Sequence, residues 1–140
     1  MTKEAISYRV NQNIPVVKFI ELLERSGLDE RRPVKDRECI QGMLNGANLL
    51  VTAWDGMKLV GLARALTDFH YACYLSDLAV DSEYQRSGIG RELIARTRKQ
   101  LGSKTKVILL AAPDAQDYYP RLGFTMNERC WVLDGDADLI

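Results

Sequence analysis

Histidine and cysteine are scarce: His70 is the single imidazole, and Cys39, Cys73 and Cys130 lie far apart with no C-x-x-C pair. An odd number of dispersed thiols, one histidine and no C-x-x-C pair indicate neither a disulfide framework nor a zinc site. The thiols are expected to be buried in a reducing compartment, and no metal is expected. No apolar run approaches the roughly 20 residues of a membrane-spanning helix. Met1-Thr2-Lys3-Glu4 lacks the apolar core of a signal peptide, so the expected location is cytoplasmic, without a membrane partner. Charge of one sign is also missing, since 19 basic and 19 acidic residues cancel. With no interleaving of basic and aromatic residues, a nucleic-acid partner is disfavoured. Repeats and low-complexity stretches are absent. What is present is a chain of 140 residues, 46% of them apolar, which suits one domain over residues 1–140 with a core of its own.

The pattern along the chain predicts alternating elements. Ile6, Tyr8 and Val10 alternate with polar residues, so Ala5 to Asn11 is expected as a strand. Asn13 can cap a helix with Pro15 in its first turn, running through Phe19, Leu22 and Leu23 to Gly27. After a charged loop, Asp29 to Pro33, a weaker helix is expected from Val34 to Asn45, with Cys39, Ile40, Met43 and Leu44 inward and Gly46 as its stop. Leu49 to Trp54 and Lys58 to Leu66 are strands joined at Asp55-Gly56, a hairpin signal. Tyr71 to Val80 makes a third consecutive strand. Gly88 to Leu101 predicts a long amphipathic helix ended by Gly102. A buried strand (Lys106 to Ala112), a short helix (Asp114 to Tyr119) and a final strand (Phe124 to Leu133) complete the series. This order implies an α/β (α+β) fold: a mixed, mostly antiparallel sheet of about six strands with helices on both faces.

The chemistry concentrates in Asp77-Leu-Ala-Val-Asp-Ser-Glu-Tyr-Gln-Arg-Ser-Gly-Ile-Gly-Arg91. A strand ends at Val80, a polar loop follows, and Gln85-Arg86-Ser87-Gly88-Ile89-Gly90 opens a helix. Glycines there allow close approach of a ligand, and the helix N-terminus with Arg86 and Arg91 favours a phosphate. No G-x-x-x-x-G-K-[ST] is present, and Leu93 stands where a dinucleotide-binding loop needs its third glycine. The segment resembles the (Gln/Arg)-x-x-Gly-x-(Gly/Ala) signature of the GNAT superfamily of acyl-CoA-dependent N-acyltransferases. Tyr118-Tyr119-Pro120-Arg121-Leu122-Gly123-Phe124 likewise resembles the aromatic-Tyr-x-x-x-Gly-Phe segment of that family. The close resemblance runs from about Leu75 to Phe124. Two departures are Pro120, directly after the tyrosine, and Ala112, where many members carry an asparagine that contacts pantetheine.

The resemblance implies a GNAT-like fold and an N-acetyltransferase in which an amine attacks the thioester of acetyl-CoA directly. Backbone groups of Leu78, Ala79 and Val80 would pair with the pantetheine arm. Those of Gln85, Arg86, Ser87, Gly88, Ile89 and Gly90, with Arg91 beside them, would hold the pyrophosphate. Tyr119 matches the family's frequent proton donor, and Asp77 is the candidate base, acting directly or through water. Alternation places Asp77 on the face opposite Tyr74, Ser76 and Leu78 unless a bulge intervenes; a structural aspartate is the competing reading. His70 is expected in a solvated turn, and Tyr71 and Tyr74 in sheet packing. The acceptor, a small-molecule amine or a protein amine, is left open, and a homodimer is one expectation because many members dimerise. The alternative to an enzyme is a non-catalytic acyl-CoA sensor of the same fold.

Overall fold

The computed structural model describes residues 6–140. The chain divides into two compact units, one ending at Leu110 and the other covering Ala111–Ile140. All strands and α-helices lie in the first: β1 (Ile6–Val10), α1 (Val16–Ser26), α2 (Arg37–Gly46), β2 (Leu49–Asp55), β3 (Lys58–Thr67), β4 (Ala72–Val80), α3 (Ile89–Lys99) and β5 (Lys106–Ile108). The strands form one sheet in the order β1-β2-β3-β4-β5. Neighbours are antiparallel except β4 and β5, which are parallel because α3 carries the chain across between them. Of the expected first strand, Ala5 lies outside the described residues.

Alternation along β3, offset by one residue at a bulge at Val60 (Trp54 pairs with Leu59 and Ala53 with Gly61), sorts its side chains to two faces. Leu59 and Leu62 join Phe19, Leu22 and Leu23 of α1 and Ile40 of α2 in a cluster whose members are nearly or fully buried. Full burial of each such side chain is worth about 1.5–3 kcal/mol, so this face supplies much of the drive to fold. Gly61 faces the other way, beneath α3. A Cβ there would sit 3.0 Å from Ile89 Cγ2 and 3.1 Å from Leu93 Cδ1, so the missing side chain is what lets α3 lie close on the sheet. Helices therefore cover both faces, as the pattern implied.

Local chemistry moves several boundaries. Pro15, not Asn13, is the N-cap of α1, and it makes no side-chain cap bond. Asp36 caps α2 by accepting from the Cys39 N–H at 3.1 Å, so that helix starts three residues later than expected. Cys39 is exposed at that end, as is Cys130, and only Cys73 is a buried thiol. Burial pushes the Cys73 pKa up.

Among the described residues the sheet has five strands rather than about six, and the difference lies at its far side. β5 is three residues long and only partly buried, because its ladder with β4 stops at Tyr74↔Ile108, two residues short of a bulge in β4. In the second unit, the expected helix is replaced by two single 3₁₀ turns, Pro113–Ala115 and Tyr119–Leu122. Pro120 has no N–H to continue a helix, so it sits in the first turn of the second one. Phe124 to Leu133 contains no strand. Asn127 Oδ1 accepts from the Arg129 N–H at 2.8 Å, a side-chain turn that breaks the extended run at its polar middle.

Candidate active site

β4 has two unlike edges. One pairs with β3 from Cys73 to Val80, whereas the other meets β5 only at Ala72, Cys73 and Tyr74. From Leu75 to Val80, no strand among the described residues lies along that second edge. This open edge contains Leu78, Ala79 and Val80 and leads straight into the polar loop.

The near end of the edge is shaped by one extra residue. Arg64 lies opposite Asp77 and Ala65 opposite Leu75, so Ser76 is the bulge. By the alternation of β3, the bulge puts Asp77 on the same face as Tyr74, not the opposite one. Asp77 is 1% exposed. Its Oδ1 accepts from Arg32 Nε at 2.6 Å, and its Oδ2 from Arg64 Nε. The same guanidiniums grip the bulge residue: Arg32 Nη2 donates to the Ser76 carbonyl at 2.7 Å and Arg64 Nη2 to Ser76 Oγ at 2.9 Å. Arg64 Nη1 also donates to the Met43 carbonyl at 3.0 Å, tying α2 to the cluster. Two cations on one buried carboxylate hold the bulge and occupy both oxygens that a base would use. Sequence reasoning missed the arginines, although Arg64 in the apolar run Leu59 to Leu66 was a readable signal. A charge in a central strand needs a partner.

The far end of the edge is the loop into α3. Asp81, also 1% exposed, caps a 3₁₀ turn (Ser82–Tyr84) by accepting from the Glu83 N–H at 2.9 Å. Gln85 Nε2 donates to the Val80 carbonyl at 3.1 Å, and Ser87 Oγ donates to the Tyr84 carbonyl. Arg86 (φ 64°) and Gly88 (φ 86°) are both left-handed. Glycine adopts that conformation without strain; an arginine does so only when its surroundings hold it there. Gly88 is the N-cap of α3 and gives no side-chain cap bond. The first intrahelical bond runs from the Glu92 N–H to the Gly88 carbonyl at 3.0 Å. The N–H groups of Ile89, Gly90 and Arg91 therefore precede it, and with the helix dipole they suit an anion. Gln85, Arg86, Gly88 and Arg91 are exposed, whereas Ile89 and Gly90 are buried against the sheet. A cationic, N–H-rich turn with glycine at 88 and 90, beside an open strand edge, fits a diphosphate joined to an amide-bearing chain.

The remaining candidates lie outside this edge. In the second unit, the Tyr119 ring packs edge-on to Tyr118 (5.3 Å between centroids) and Phe124 (5.4 Å). Burial, with a smaller contribution from Tyr118, raises its pKa, so the phenol stays protonated at neutral pH. His70 is exposed in the β3–β4 turn, and Tyr71 and Tyr74 are exposed rather than packed in the sheet. That turn is organised by Asp68, whose carboxylate accepts from the N–H groups of Tyr71, Ala72 and His70 at 2.8–3.0 Å, lowering its pKa to about 2. Among the described residues, no helix is long and apolar enough to cross a membrane.

A family model described as "Acetyltransferase (GNAT) domain" matches residues 23–135, most of the chain. The chain belongs to the GNAT acetyltransferases. The GNAT relatives are distant. The uncharacterized N-acetyltransferase ycf52 of Pyropia yezoensis is 27% identical over 116 residues, covering 81% of this chain and 67% of that one. GCN5-related N-acetyltransferase 2, chloroplastic, of Arabidopsis thaliana is 35% identical over 69 residues, which are 48% of this chain and only 27% of that protein. Among solved structures, a probable acetyltransferase of Staphylococcus aureus superposes with a TM-score of 0.72 at 23% identity, covering 91% of this chain and all of that one. An aminoglycoside N-acetyltransferase solved with CoA gives 0.71 at 17% identity, covering 94% and 95%. At such identities these structures establish the GNAT fold, in agreement with the mixed sheet described above.

Proposed function

We propose that this protein transfers the acetyl group of acetyl-CoA to an amine, carried by a small molecule or a protein, by direct attack within a ternary complex. The observation that carries the reading is the open edge of β4 running from the Ser76 bulge into the Gln85–Gly90 loop. An amide-bearing pantetheine arm can add along Leu78, Ala79 and Val80 as a strand would, with its pyrophosphate on the N–H groups at the start of α3 beside Arg86 and Arg91. The GNAT match, and the presence of CoA in a structure of the same fold, support this assignment.

In the reaction, a neutral amine forms the C–N bond at the thioester carbonyl carbon and the C–S bond breaks. The nitrogen gives its proton to water, and the thiolate receives one from the Tyr119 phenol. Asp77 enters as the residue that holds the bulge, since both of its oxygens are engaged by guanidinium groups.

The test is to incubate the protein with acetyl-CoA and a panel of amines and follow free thiol. Acetyl-CoA at about 100 times its Kd should stabilise the fold by about 2.7 kcal/mol, seen as a rise in Tm. Thiol release should depend on one class of amine. No melting shift at millimolar acetyl-CoA would remove the reading, and a shift without turnover on any amine would leave a sensor. Tyr119→Phe deletes only the hydroxyl; turnover should fall roughly 10²- to 10⁴-fold while CoA affinity stays within about twofold. An unchanged rate, with chemistry rate-limiting, would take Tyr119 out of the mechanism.

A further inference from the structure

The loop that starts α3 is fastened to the β2–β3 hairpin by contacts that the acetyl-transfer reading does not use. Asp55 and Lys58 face each other across the Gly56-Met57 turn as the last pair of the β2–β3 ladder. Tyr84 Oη donates to Asp55 Oδ2 at 2.6 Å, and Lys58 Nζ lies 5.2 Å over the Tyr84 ring. The Asp55 carboxylate pushes the Tyr84 pKa up to about 12, so the phenol remains a donor at any neutral pH. One turn earlier, Asp81 Oδ2 accepts from Arg25 Nε at 2.8 Å and lies 3.7 Å from Lys58 Nζ. Arg25 Nη2 donates to the Leu59 carbonyl at 2.7 Å, and the Asp81 N–H to the Val60 carbonyl at 2.9 Å. The Tyr84 N–H closes the turn on the Asp81 carbonyl at 2.8 Å.

Residues 81 and 84 are thus buried and held from three elements, and the exposed residues 85, 86 and 88 follow directly. Two of those three have left-handed backbone, one without the excuse of being glycine. An exposed turn does not keep such a shape unaided. We propose that Tyr84 and Asp81, through Asp55 and Arg25, are positioning residues that hold the Gln85–Gly90 loop in its anion-receiving shape before the cofactor arrives. The inference rests on the acetyl-CoA reading for what the loop receives, but the anchoring itself is a property of the free protein. Ordering the loop in advance removes a cost that CoA binding would otherwise carry.

Tyr84→Phe removes the donor and Asp55→Ala the acceptor of the same hydrogen bond. Each should weaken CoA binding, measured by calorimetry, by about tenfold or more, the lower end of the loss expected for a hydrogen bond to a charged group. The double variant should be no weaker than the worse single one. The KM for acetyl-CoA should rise with kcat unchanged. Ile40→Val, which trims the core at α2, should lower Tm without moving either constant, so a merely structural role is separated. Hydrogen exchange of the amides of 85–90 in the ligand-free protein should be faster in Tyr84→Phe than in the parent. A Tyr84→Phe variant with unchanged amide protection overturns the inference, whether or not CoA binds. So does CoA affinity in the Tyr84→Phe variant equal to that of a parent that binds CoA. Failure of the parent to bind CoA overturns the acetyl-CoA reading instead, and the exchange result then decides the anchor by itself.

Discussion

Asp77 and Asp81 stand at the two ends of the same open strand edge, each 1% exposed and each paired with an arginine from the α1–α2 side of the sheet. Their partners differ. Asp77 sits between Arg64, whose side chain is 6% exposed, and Arg32, at 21%. Asp81 meets Arg25 at 34% and Lys58 at 45%, cations that keep much of their hydration. A buried carboxylate with a buried cation, Arg64, is held by desolvated charge–charge contact, and taking one partner away strands the other. A buried carboxylate with half-solvated cations is held by hydrogen bonds to the loop as much as by charge, and its cations can return to water. The first arrangement suits a fixed kink in a strand. The second suits a loop that must accept an anion without being locked by its own ion pairs.

The largest effect that could break this comparison is at the bulge. Asp77→Ala should destabilise the protein by about 3–5 kcal/mol in urea unfolding, because Arg64 is left charged and buried without its partner. The comparison fails if this loss is no greater than that of the equivalent change at Asp81. At the loop end, Asp81→Asn should cost about 1–3 kcal/mol, since it keeps an acceptor and releases Arg25 and Lys58 to solvent. Denaturation at rising salt sharpens the contrast: the Arg25–Asp81 contribution should shrink with ionic strength and the Arg64–Asp77 contribution should persist.

The smallest effect is expected at a third aspartate, Asp68, which is exposed and bonded only to backbone N–H groups. Its folded pKa, about 2, lies below the ordinary 3.8. The stability it contributes is therefore complete above about pH 4 and is lost as pH falls toward 2. A Tm series across that window should drop further for the parent than for Asp68→Asn. Equal slopes would show that the turn does not depend on the ionised carboxylate.

Much of this architecture was legible in residue order. Periodicity placed α1, α3 and the three-strand meander within a few residues, since amphipathic faces and the Asp55-Gly56 turn are local properties. The GNAT likeness came from Gln85 to Gly90 and Tyr118 to Phe124, short segments whose glycines and aromatics carry a conformation with them. Cys39 is exposed rather than inward because the helix starts at Arg37, which leaves Cys39 in its first turn, where its N–H donates to the Asp36 cap. The final strand was misjudged because one side-chain turn at Asn127 outweighed the weak alternation around it.

Hydrophobic spacing, turn chemistry and a phosphate-loop motif are written in neighbouring residues, and they suffice for the fold class and the family. Which face Asp77 occupies is not written there. It depends on the Ser76 bulge, and the bulge is gripped by Arg32 and Arg64, which stand 44 and 12 positions away. The anchoring of Tyr84 to Asp55, 29 positions apart, has the same character. A buried charge states only that it needs a counter-charge. Which one it finds is decided when the sheet and helices bring distant side chains within about 3 Å, the range in which hydrogen-bonded ion pairs form.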